Sequence, residues 1–87
     1  MIPKVEFFSG DPPCQDCLKA FTLADEYAAE RQGRVEVIKL FGAEAMEKFR
    51  AYNLSCTPAI VIEGRLKIEG ICPSRETLDR AVREVQR

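Results

Sequence analysis

Apolar and polar positions begin to alternate at Lys4 in the segment KVEFF (4–8). That period of two, carried by good strand formers, predicts a first β-strand. The next five residues, SGDPP, read as a turn, because the prolines cannot extend a strand ladder. From Cys17 onward the period changes. Phe21, Ala24, Tyr27 and Ala28 recur at helical spacing, and Gly33 supplies the stop. RVEVIKLF (34–41) reads as a second strand, whose nearly continuous apolar centre implies burial on both faces. A second helix is expected at 43–52 on Ala45, Phe49 and Tyr52, with Asn53 as its C-terminal cap. PAIVI and RLKIE then flank Glu63-Gly64 as a hairpin, and Pro58 is tolerated as the first residue of its strand. Ser74 caps a last helix, in which Leu78, Ala81, Val82 and Val85 form one apolar stripe.

The resulting order is βαβαββα, an α/β arrangement of four strands and three helices. Its first βαβ unit implies two parallel strands with a right-handed crossover, and the final hairpin adds antiparallel pairing, so the sheet is mixed. With 87 residues the chain is expected to form one domain over 1–87. No internal repeat or low-complexity tract interrupts it.

Charge and composition narrow the function. The formal net charge of −1 leaves no electrostatic footprint for nucleic acid or an anionic membrane. The longest aliphatic run, AIVI at 59–62, is too short to cross a bilayer. MIPKVEFF at the start has no apolar stretch followed by a cleavage site, so a cytoplasmic location is expected, where a standing disulfide framework is unusual. Histidine is absent, which removes Ser-His and Cys-His catalysis and every His-containing metal site.

The chemistry therefore falls to the cysteines. Cys14 and Cys17 form a C-x-x-C at the junction of turn and helix. There the unpaired N–H groups and the positive end of the helix dipole stabilise a thiolate, the form that attacks a disulfide. A thiol three residues further lies on the same side one turn deeper, within reach to resolve a mixed disulfide. As a staple this pair is poorly placed: closing so short a loop constrains the unfolded chain by only about 2 kcal/mol, against about 4 for a loop of some fifty residues. Two rival readings stand beside the redox dithiol. One is inert burial. The other is a Cys₄ metal site drawn from Cys14, Cys17, Cys56 and Cys72, although fifteen residues rather than two separate its second pair. Cys56 and Cys72, each alone, read first as small core or loop residues, and Cys56 also as a candidate additional thiol. Asp11 and Asp16 put negative charge near the dithiol and are expected to oppose its ionisation. Lys19 offsets them.

Taken with CTPAIVIEGRLKIEG (56–70), the CQDC segment resembles the thioredoxin/glutaredoxin superfamily along essentially the whole chain. Within the superfamily the chain resembles the short, glutaredoxin-sized thioredoxin-like proteins. The resemblance implies the thioredoxin-like fold, a cis peptide bond at Thr57–Pro58 facing the dithiol, and thiol–disulfide exchange. In that chemistry Cys14 is nucleophile, Cys17 resolver, and Thr57 and Pro58 hold an extended substrate. It further implies a disulfide-containing protein substrate, a reductase or glutathione as reductant, a monomer, and no cofactor or metal. The chain departs from the thioredoxin pattern at Phe8, where a buried aspartate is usual, and at Thr22, where a kinking proline is usual. Gly70-Ile71 replaces the Gly-Gly of the glutaredoxin glutathione site. Glutathione-dependent exchange and a metal- or iron–sulfur-binding carrier on the same scaffold are the alternatives.

Overall fold

The computed structural model describes residues 2–86. Its elements are β1 (Lys4–Phe8), α1 (Gln15–Glu30), β2 (Glu36–Leu40), α2 (Gly42–Ala51), β3 (Ala59–Ile62), β4 (Leu66–Glu69) and α3 (Arg75–Gln86). The strands form one mixed sheet in the order β2-β1-β3-β4. β1 runs parallel to β2, from Lys4↔Glu36 to Phe8↔Leu40. It runs antiparallel to β3, and β3 is antiparallel to β4. Phe8 pairs with Ala59 and Ala59 with Glu69, so the chain leaving β1, entering β3 and leaving β4 meets at one end of the sheet. That end carries all four cysteines.

Strand alternation sorts the side chains into two layers. Val5 and Phe7 of β1 and Ile60 and Ile62 of β3 pack with Leu23 and Tyr27 of α1 and with Leu78 and Val82 of α3. On the opposite face Phe8, Ala59 and Val61 pack with Ala45 of α2 and Leu54, joined by Phe49 and Tyr52. Each fully buried large apolar side chain contributes about 1.5–3 kcal/mol through its removal from water. Ser74 caps α3, its hydroxyl accepting the Thr77 N–H at 3.1 Å. Glu63 and Gly64 turn the hairpin with φ of 54° and 64°, the left-handed pair that a two-residue connection requires.

Three local expectations change. α1 starts at Gln15, two residues earlier than the apolar spacing implies, because Cys14 itself caps it. α2 starts at Gly42, one residue early. β2 is not buried on both faces: Glu36 and Lys39 are exposed and only Leu40 is buried. It is an edge strand, paired on one side only. The strand buried throughout is β3, next to β1 at the centre.

Candidate functional site

The double proline of the 9–13 turn keeps the chain out of helix until Cys14, whose backbone is extended (φ −82°, ψ 175°). Its sulfur takes the place an oxygen usually has at a helix N-cap, accepting the Cys17 N–H at 3.2 Å. The Leu18 N–H to Cys14 carbonyl bond at 3.0 Å closes the first helical turn. One sulfur is thus exposed at the helix start and the other, one turn along, is fully buried.

The two thiols touch. Cys14 Sγ–H donates to Cys17 Sγ at 2.9 Å, and the Gly10 N–H donates to the same sulfur at 3.4 Å. Burial pushes the Cys17 thiol up, but the Cys14 hydrogen bond, the Gly10 N–H, the Cys14 backbone contact and Ser9 together outweigh it. The result is about 7, against an ordinary 9.0. Between sulfurs this close the first proton lost belongs to the pair, and access decides which sulfur attacks. Only Cys14 is accessible.

Burial pushes the Cys72 thiol up first and the charge of Asp16 pushes it further, with Lys19 opposing. Cys72 packs against the α1/α3 core, its S–H directed at the Pro73 carbonyl at 3.7 Å.

Thr57 and Pro58 lie where the β1–β3 register brings them, beside Ser9 and Gly10. A Cβ on Gly10 would stand 3.2 Å from Thr57 Oγ1, so the bare glycine admits Thr57 next to the backbone N–H that holds Cys17. The Thr57–Pro58 peptide bond is cis and Pro58 is fully buried. Its carbonyl accepts the Gly70 N–H at 2.8 Å, continuing the β3–β4 ladder by one rung. Cys56 is exposed at the same end, with its sulfur 3.1 Å from where a Gly70 Cβ would be. Among the described residues no group of three Cys, Asp or Glu is arranged to hold a metal ion. No helix there is long and apolar enough to cross a membrane.

Sequence reasoning passed over two features. Glu6, in the central strand, is fully buried, and its carboxylate accepts the Tyr52 hydroxyl at 2.6 Å and Lys48 Nζ at 3.0 Å. A signal existed: a carboxylate amid Val5, Phe7 and Phe8, with Lys48 and Tyr52 spaced by four at the end of α2, where Tyr52 is the C-cap. The second feature is a cis bond at Asp11–Pro12, for which the local sequence carries no signal.

The family model described as a thioredoxin domain matches residues 4–83. A probable thioredoxin of Methanothermobacter thermautotrophicus is 33% identical over 84 residues, covering 97% of this chain and 96% of that protein. A thioredoxin of Methanocaldococcus jannaschii is 32% identical over 81 residues, covering 93% of each. Two solved structures share the fold, each with a TM-score of 0.76. Chloroplastic thioredoxin z is 22% identical, with 98% of this chain and 79% of that one covered. A thioredoxin-like protein from Clostridium perfringens is 16% identical, with 95% and 70% covered.

Proposed function

The chain belongs to the thioredoxin family, and on that premise we propose that it acts as a monomer, reducing disulfides in protein partners through the Cys14/Cys17 dithiol. The observation that carries this reading is the pair itself: an exposed sulfur at a helix N-cap, 2.9 Å from a buried one already pulled down to about 7. The Cys14 thiolate attacks one sulfur of the substrate, forming a Cys14–substrate disulfide and expelling the other substrate sulfur as a thiolate. The proton shared by the pair goes to that leaving group. Cys17, now a thiolate, attacks Cys14 Sγ, forming the Cys14–Cys17 disulfide and releasing the second substrate thiolate. Covalent bonding at about 2.05 Å requires the sulfurs to close by less than about 1 Å. Two electrons pass to the substrate, and a reductase or glutathione returns them to the protein.

Thr57 and Pro58 act as the wall that receives an extended substrate. The Gly10–Thr57 contact supports this, because it sets that wall against the N–H that holds Cys17. Cys56, exposed next to Thr57, serves as an additional thiol able to exchange with Cys14.

Trapping tests the mechanism. Cys17→Ser removes the resolver but keeps the Cys14 cap, so mixed disulfides with the partner accumulate and dissolve in dithiothreitol. Cys14→Ser traps nothing. Glutathione as the sole trapped species moves the reading to glutaredoxin-type exchange. Full turnover by Cys14→Ser overturns the dithiol mechanism.

A further inference from the structure

Beside the dithiol loop lies an apolar groove of about 450 Å³, floored by Phe8, Ala45, Met46 and Phe49 and walled by Gly10 and Thr57. Asp11 lines it as the one charged residue among the described residues that do so. Asp11 also lines a second concavity, with Pro13, Phe21 and Phe41. Asp11 is exposed and has no ion pair among the described residues, unlike Asp25 and Asp79, which each hold a cation.

The apolar side chains here are not explained by helix stability. Phe41 occupies the N-cap of α2, a position that favours Ser, Thr, Asp or Asn, makes no capping bond, and is 64% exposed. Met46, 57% exposed, is a flexible side chain suited to adapt to an incoming group. Apolar area is therefore held open to solvent beside the reactive pair, around a single unneutralised carboxylate.

Resting on the disulfide-exchange reading, we propose that this groove is a specificity subsite for a lysine or arginine side chain flanking the substrate cysteine. Such a side chain matches both halves of the groove. Its methylene stem covers the apolar floor and its charged head stays at the rim, where Asp11 meets it. A purely aliphatic side chain would fill the floor but draw water away from Asp11 without compensation, and an acidic one would repel it. The wall shared with Gly10 and Thr57 sets the subsite beside the residues that hold the dithiol. The partner class is thus proteins whose reducible disulfide is flanked by a basic residue.

The experiment uses three peptides of sequence X-Cys, each disulfide-linked to one common chromogenic thiol, with X as lysine, norleucine or glutamate. Single-turnover rate constants are measured with the reduced full chain at low salt. We expect lysine fastest and glutamate slowest, with a lysine-to-glutamate ratio of about tenfold, the range of a partly desolvated ion pair. That ratio falls to about twofold or less in Asp11→Asn and inverts in Asp11→Lys. Asp25→Asn, an equal charge change at an exposed position of α1, keeps the wild-type ratio. A ratio that is the same in wild type and Asp11→Asn overturns the subsite, as does an equal fall in Asp25→Asn or Asp16→Asn, which would make the preference a property of net charge. If the wild type reacts with none of the peptides, or Cys14→Ser reacts as well as the wild type, disulfide exchange itself fails and the subsite falls with it.

Discussion

Replacing Cys14 by alanine isolates what holds the Cys17 thiol near neutrality. In the wild type, burial pushes that thiol up, and the hydrogen bond donated by Cys14 at 2.9 Å is foremost among the influences that pull it down. A hydrogen bond to an ionised group is worth about 1.5–3 kcal/mol, which corresponds to about 1–2 pH units. The first step of thiolate absorbance at 240 nm should therefore have a midpoint near 7 in the reduced wild type and above about 8 in Cys14→Ala. Stability carries the same signature. Because the folded value lies below the unfolded 9.0, the stabilisation is fully present above 9 and is lost as pH falls through about 7. For a drop from 9.0 to about 7 the contribution is negligible at pH 6, about 1 kcal/mol at pH 8 and about 2 kcal/mol at pH 9. Urea unfolding of reduced wild type and Cys14→Ala should then show a stability gap that widens by about 1 kcal/mol between pH 6 and pH 8. A midpoint that stays near 7 in the variant, with a gap independent of pH, would refute the assignment of this effect to the Cys14–Cys17 hydrogen bond.

Two further outcomes are expected. Lys48→Met strands the fully buried Glu6 carboxylate with Tyr52 as its remaining donor and should cost about 3 kcal/mol. Glu6→Leu frees Lys48, already 39% exposed, to solvent and should cost only about 1 kcal/mol, so chemical denaturation showing the reverse order would discredit the burial argument. Peptide mapping of oxidised Cys17→Ser should find a Cys14–Cys56 disulfide. Its absence under every redox buffer would remove Cys56 from the exchange chemistry.

How much of this was legible beforehand depends on the distance over which each feature is decided. Element types and order followed from periodicity, because burial of one face imposes a period of 3.6 on α3 and an unbroken apolar run on β3. The dithiol was legible for the same reason: the double proline, the helix start and the C-x-x-C spacing all act within a few residues. The position of β2 was not. VIKL and AIVI are both apolar-rich strand strings, and the strand order leaves the first at the sheet edge and puts the second between β1 and β4. Glu6 shows the same limit, since its partners are 42 and 46 residues away and its burial exists only once α2 lies on the sheet.

The sequence by itself determined the local chemistry: a thiol pair at a helix start, without histidine to assist it. Tertiary structure alone decided what surrounds that pair. The register Phe8↔Ala59 brings the distant Thr57 against Gly10, whose N–H reaches Cys17 seven residues along the chain. Tertiary structure also brings the charge of Asp16, at the start of α1, to bear on Cys72, which follows β4 and is remote from it in sequence.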